Sequence, residues 1–375
     1  MSLVLLLAAY LCLWPVPIEA VSWDAPAPSG LNGAQVVNDR LAAAHRIALG
    51  GEAGPEHVTA GPDGKLYVSV ASGSILRISS DGEVRETFTR TGGRPLGTAF
   101  DAGGRLIVAD ALRGLLSVAP NGAVVVLVKA GPGEALSFPN ALAIAADGRI
   151  FLTDSSARFT PARWGSTQAA ALLDVLEQSA TGRVLEFDPA SGRLRVVATG
   201  LSLANGIVLS ADERSLLVSE SGRYRVWKLD AGLAQADVAQ RPPGVVLLLD
   251  GLPGFPDNLT RGRDGRIWLG LAGPRNALDA LAGKPFAREL LLRIPRGLWP
   301  QQAAPGRVIA FTEDGHIVDD LQGRDGHSSA TSGTTGATEV GGRLYLHTIE
   351  GSELAWLPLQ PGAWGAIRAR SFQKE

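Results

Sequence analysis

Short runs of alternating apolar residues recur along the chain, each launched by a tight polar turn. The turns begin at Asp63 (DGKLYVSV), Gly103 (GGRLIVAD), Asp147 (DGRIFLTD), Asp212 (DERSLLVS), Asp264 (DGRIWLGL) and Gly341 (GGRLYLHT). Alternation with period two marks a strand, and Asp-Gly or Gly-Gly gives the backbone freedom that a tight turn needs. A second strand is expected after each, at Ser74–Ile78, Gly114–Val118, Gly182–Phe187, Arg223–Leu229, Leu290–Ile294 and Glu353–Leu357. A further apolar stretch precedes each turn, as in NALAIA from Asn140 and NGIVL from Asn205. Strand-turn-strand units spaced by about 40 residues or more are the signature of propeller blades. The pattern therefore predicts an all-β fold, a six-bladed β-propeller, with insertions where the spacing is longest.

A closed ring must dispose of its last edge. The stretch His45–Leu49, ahead of the first blade, is expected to supply the outermost strand of the last blade. One insertion differs in kind: within 161–181, Ala169, Leu172, Leu173 and Leu176 stand at helical spacing. A helix there, in the third blade, would cover exposed core, close the central site as a lid, or do both.

The first residues form a separate segment, 1–20, ahead of a propeller over 21–375. Leu3 to Trp14 (LVLLLAAYLCLW) is uncharged and apolar and is broken by Pro15 and Pro17. It is short of the roughly 20 residues that span a bilayer and lacks a basic leading region. The alternatives are a membrane anchor or uncleaved export signal, which is preferred and makes the protein membrane-associated or periplasmic/extracytoplasmic, and a buried helix or strand. The single cysteine, Cys12, excludes an intramolecular disulfide. A net charge of −2 without a Lys/Arg cluster argues against a nucleic-acid partner.

Seven residues before each turn lie Glu56, Leu96, Asn140, Asn205, Asp257 and Thr334. Equivalent positions of a closed repeat face the same axis, so four of the six aim hard oxygen donors at the centre. Asn, Asp and Glu are also common at strand starts as turn formers, but four in one register favour a divalent cation site. Ca²⁺ accepts irregular sets of carboxylate and amide oxygens. Glu56 and Asp257 would neutralise it, Asn140 and Asn205 would add carbonyl oxygens, and the adjacent Asn258 is a further candidate ligand. The absence of His and Cys from the register argues against zinc, whereas Mg²⁺ would fit less readily. Of the histidines, His57 is expected to point away from the axis by strand alternation and His347 to be packed in a strand.

The stretches FPNALAIAADGRIFLTDSS (138–156), GRVLEFDPASGRLRVVATGLSLANGIVLSADERSLLVSE (182–220) and LPGFPDNLTRGRDGRIWLGL (252–271) resemble the strictosidine-synthase-like family. Within it, the resemblance is to the adipocyte plasma membrane-associated protein group, part of the gluconolactonase–paraoxonase superfamily of calcium-dependent propellers. It implies the same four ligands, Glu56, Asn140, Asn205 and Asp257, with Asn258 as an extra one. It also implies hydrolysis of lactones or aryl esters at a central ion, and membrane association through residues 3–14. The last-blade acid of strictosidine synthase has no counterpart in SGTTGAT (332–338), and the paraoxonase histidine pair is missing from RPLGTAF (94–100).

These observations predict a calcium-dependent ester or lactone hydrolase acting on a small molecule. Asp257 is the candidate base, and Arg163, Trp164 and His327 are candidate substrate contacts. A binding or scaffold propeller with a structural calcium is the alternative. An amine–aldehyde condensing lyase is a more distant one.

Overall fold

The computed structural model describes residues 3–29, 35–299, 304–323 and 331–359, and in it the alternating runs form six sheets around a channel, antiparallel but for one short parallel pair at the edge of the third. The innermost strands are His57–Ala60, Pro95–Phe100, Pro139–Ile144, Ala204–Leu209, Gly254–Arg261 and Thr334–Val340, in blades 1 to 6. Five sheets then meander outward in chain order and the sixth borrows its outermost strand from ahead of blade 1, so the six-bladed propeller is observed. The core lies between blades rather than within one. Val58, Val68 and Leu76 of blade 1 pack on Tyr345 and Leu354 of blade 6. Ala141, Phe151 and Val184 of blade 3 likewise pack on Ile207, Val218 and Trp227 of blade 4. Burying one such side chain stabilises the fold by about 1.5–3 kcal/mol, so most of the cohesion belongs to the ring rather than to single blades.

The ring closes as the sequence predicts. His45–Ala48 pairs antiparallel with Glu353–Pro358, Ile47 opposite Leu354, and the His45 ring stacks on Trp356 at 4.3 Å. One sheet therefore holds strands from both ends of the chain, and the edge of Glu353–Pro358 is covered.

Among the described residues four α-helices decorate the disc. Helix α1 (Leu3–Leu13) is exposed along Val4, Leu5, Leu6, Leu7 and Leu13, so the buried alternative for this segment is corrected. It is tied down only at its end, where the Tyr10 hydroxyl donates to the Arg293 carbonyl (3.0 Å) and the Arg293 Nε donates to the Trp14 carbonyl (2.7 Å). Among the described residues no helix is long and apolar enough to cross a membrane. The third-blade insertion forms α2 (Pro161–Trp164) and α3 (Thr167–Glu177), capped by the side chains of Thr160 and Ser166.

Helix α4 (Pro285–Arg293) is a correction, because Leu290–Ile294 was expected to be the next strand of blade 5. Pro285 at the first helical turn and the helix-forming Ala, Arg, Glu and Leu that follow override the apolar run. The buried Arg288 docks α4 by donating to the carbonyls of Leu176 (2.7 Å) and Ala282 (3.2 Å). The blade's own strand follows at Arg307–Phe311.

Candidate metal centre

The inner strands share a local irregularity that the alternation did not reveal. Pairing with the next strand jumps from Pro95 to Thr98, Pro139 to Leu142, Ala204 to Ile207 and Pro256 to Leu259. Leu96, Asn140, Asn205 and Asp257 each sit inside such a bulge, which frees a side chain from strict alternation and re-aims it. Glu56 immediately precedes its strand, with its N–H on the Ser69 carbonyl (3.0 Å). Hydroxyls of the preceding blade fix the carbonyl of the register residue: Ser69 donates to Leu96 (2.8 Å), Thr153 to Asn205, and Ser219 to Asp257 (2.6 Å). The strands also approach closely. A Cβ on Gly206 would lie 2.3 Å from the Leu259 nitrogen, so only glycine fits beside Asn205.

Glu56, Asn140, Asn205 and Asp257 meet at one chamber of about 380 Å³ at the channel mouth. All four are buried. Asn140 donates its amide to the Ser155 hydroxyl (3.1 Å), leaving its Oδ1 without a partner. The Asn205 Oδ1 and the Glu56 Oε2 are likewise buried and without a hydrogen-bond partner. Each orphaned polar atom costs about 1–3 kcal/mol. Three acceptor oxygens and a second carboxylate around one chamber therefore fit an oxygen-liganding divalent cation. Among the described residues no cluster of three or more His, Cys, Asp or Glu occurs, so such an ion would depend on the amide oxygens.

The electrostatics agree with that fit. Burial raises the Glu56 carboxyl to about 7 against the opposing pull of Arg94 and the Asn258 hydrogen bond. Burial, then the neighbouring Glu56 charge, raises Asp257 well above the usual carboxylate range, opposed by a hydrogen bond from Asn205. Arg94 was not singled out by the sequence pattern. It is buried, stands 3.8 Å from Glu56 Oε2, and its two terminal nitrogens have no hydrogen-bond partner. Asn258 does not line the chamber; its amide braces Glu56, donating to the carbonyl (3.1 Å) and Oε1 (3.3 Å).

Other expected site residues lie elsewhere. Arg163 is exposed and rests over the Trp164 ring, 5.4 Å from its centroid, while Trp164 packs on Phe159; neither lines the chamber. His327 lies outside the described residues. His57 is corrected: it lines the opposite end of the channel with Thr59, Thr98 and Thr338, its Nδ1 3.2 Å from the Thr98 hydroxyl. Its ring centroid is 5.1 Å from that of His347, and burial lowers its pKa to about 4. His347 is packed, as expected, with Nε2 2.9 Å from the Thr338 hydroxyl.

A further set of acids was missed. Asp110, Asp154 and Glu220 end their strands fully buried and accept the backbone N–H groups of Arg94, Phe138 and Ser202 (2.9, 2.5 and 2.9 Å). They hold the loops that lead into the inner strands. The signal was the acid at the end of the phrases LIVAD, IFLTD and LLVSE.

Six closed blades with an oxygen-lined mouth define a propeller of the gluconolactonase type. The chain belongs to the SMP-30/gluconolactonase/LRE-like family, whose region it matches over residues 57–278, preceded by a strictosidine synthase-like N-terminal region over 33–78. It is 32% identical to the adipocyte plasma membrane-associated protein of Salmo salar, over 95% of this chain and 87% of that one. It is 30% identical to strictosidine synthase-like protein 10 of Arabidopsis thaliana, over 80% and 83%. Among solved structures, the fold matches a gluconolactonase of Xanthomonas campestris with a TM-score of 0.59 at 21% identity, covering 91% of this chain and 98% of that one. It also matches the calcium-binding protein regucalcin of Agrobacterium tumefaciens with a TM-score of 0.55 at 13% identity, covering 84% and 91%.

Proposed function

We propose that the protein is a calcium-dependent hydrolase of lactones or aryl esters. The observation that carries this reading is the set of three buried oxygens without a hydrogen-bond partner, on Glu56, Asn140 and Asn205, bordering one chamber with Asp257. Calcium held by these four residues would supply electrophilic stabilisation of a carbonyl oxygen as negative charge develops. Two carboxylates and the Arg94 guanidinium sum to −1, so a dication brings the site to about +1, a sign that favours an oxyanion. Asp257, which lines the chamber beside the other ligands, would accept the proton of the attacking water. Asn258 and Arg94 keep Glu56 in place, and the apolar walls exclude bulk water. The gluconolactonase title of a structural neighbour and the calcium-binding title of another agree with this reading.

The test is turnover of phenyl acetate and simple lactones with and without EGTA. Chelator-sensitive hydrolysis that disappears in Asp257→Ala, with the fold retained, is the expected result. Among the described residues no histidine lines the chamber, which favours the second reading, a binding propeller with a structural calcium. Chelator that lowers only the melting temperature, with no turnover in either condition, would select that second reading. The lyase reading gains nothing, since Glu56 and Asp257 are the only acids lining the chamber among the described residues.

Membrane association through residues 3–14 is part of the proposal, supported by the exposed apolar face of α1 and the plasma-membrane-associated name of its relatives. Full-length protein should cosediment with phosphatidylcholine vesicles and a variant lacking residues 1–14 should not. Equal cosedimentation would remove this element.

A further inference from the structure

The chamber above the four ligands has a second property, the chemistry of its walls. Leu96, Phe138, Leu203 and Phe255 form its sides, with Leu278 from the fifth-blade insertion. Its roof is one face of α3: Gln168, Ala171, Leu172 and Val175 follow at i, i+3, i+4 and i+7, the spacing that puts side chains on one helical stripe. The opposite face of α3, through Ala170, Leu173 and Leu176, is buried against Ile18 and Phe159. The helix is thus apolar on two sides because it serves both as packing and as ceiling.

Several of the few polar wall groups already hold one intramolecular hydrogen bond. The Ser221 hydroxyl donates to the Pro256 carbonyl (2.5 Å), the Thr167 hydroxyl to the Gln168 side chain (2.9 Å), and the Asn276 Oδ1 accepts from the Leu278 N–H (2.9 Å). Blade 2, whose register position could have offered a fifth polar group, contributes Leu96. Polar capacity is therefore concentrated at the floor, and among the described wall residues little beyond the Gln168 and Asn276 amides could replace the water shed by a polyhydroxylated ring. A buried polar substrate group without a partner is rejected far more strongly than an extra methylene.

Resting on the hydrolase reading above, we propose that the site takes a neutral lactone or ester bearing an apolar alkyl or aryl substituent, and discriminates against sugar lactones. The carbonyl goes to the floor and the substituent lies against Leu172 and Val175 of α3. A chamber of about 380 Å³ is at the small end of small-molecule sites, about 300–1,000 Å³, so the substituent is of medium length.

The experiment compares δ-lactones from δ-valerolactone to δ-decalactone with glucono-1,5-lactone, in wild type and in Leu172→Asp. In the wild type, kcat/KM should climb by roughly fourfold per added methylene until the chamber is full, and the sugar lactone should be the poorest of the set. The dependence on tail length should flatten in Leu172→Asp, and partly in the milder Leu172→Ala. Calorimetry with the matching non-hydrolysable δ-lactams gives a readout independent of turnover: affinity should rise with tail length in wild type and not in Leu172→Asp. Retention of the calcium-induced rise in melting temperature would show that the variant keeps its fold and its ligand ring. A flat series, or preference for the sugar lactone, overturns the proposal while leaving the hydrolase intact. If no lactone is turned over, the hydrolase reading falls, and the lactam affinities still decide the apolar one.

Discussion

Glu56 and Asp257 illustrate how a side chain can be costly alone and useful in company. Each is buried, and the Glu56 charge adds to the burial that raises Asp257. Removing one carboxylate should therefore act in opposite directions in the two metal states. In EGTA, Asp257→Asn should melt higher than wild type, because a buried carboxyl that must either charge beside Glu56 or take up a proton has been removed. With calcium at a hundred times its Kd, wild type should gain about 2.7 kcal/mol and the variant almost none. Differential scanning fluorimetry with and without calcium would read both signs; a variant that melts lower in EGTA would argue that Asp257 is held by contacts other than a cation. At this scale the sequence was informative about identity and poor about company. Seven-residue spacing picked out five chamber residues, four of them oxygen donors. Arg94, Ser69, Thr153 and Ser219 escaped because they act across blade boundaries, where neighbours are distant in sequence.

At the scale of elements, strands were readable and their bulges were not, since a two-residue slip leaves hydrophobic alternation nearly unchanged on either side. Helix α4 was taken for a strand because Leu290, Leu291 and Leu292 satisfy both periods over so short a run. Helix α3 was legible from its own spacing, and the roof and packing roles expected of it are both present. It carries one group that its roof role leaves unused. Asp174 is fully buried, and the Ser156 hydroxyl and the Leu203 N–H approach without closing good hydrogen bonds. Burial, reinforced by Glu177, raises its pKa from an ordinary 3.8 to about 7.

The folded state thus holds this proton where the unfolded chain has released it. The Asp174 contribution to stability is complete below about pH 4, declines as pH rises toward 7, and is gone above it. Asp174→Asn should leave the melting temperature unchanged near pH 4 and raise stability by about 2–4 kcal/mol at pH 8, on a scale of 1.36 kcal/mol per pKa unit. Urea titrations at the two pH values would measure this. An equal gain at both would mean that Asp174 is not titrating.

The molecule as a whole is a ring whose cohesion lies between blades, and its period was plain in the sequence from the six turns alone. Its closing strand was legible too, as an unassigned strand-like segment ahead of blade 1. The position of α1 was not, because an uncharged apolar run has no polar side to orient it. Deleting residues 40–50 should expose the edge of Glu353–Pro358 and the apolar side chains beneath Ile47, giving an aggregating protein. Size-exclusion chromatography and circular dichroism would check this; a soluble monomer with a cooperative transition would show that the strand is dispensable.

The closing strand has one more effect. Ala48 ends it and Glu56 follows within the same short stretch, so the clasp of the wheel and the first of its proposed ion-holding groups are mechanically one piece. The other three groups ride on separate spokes. Tight capture of an ion therefore reports that the hoop has been fastened, and loosening the seam should register as a weakened grip on the ion well before any spoke comes apart.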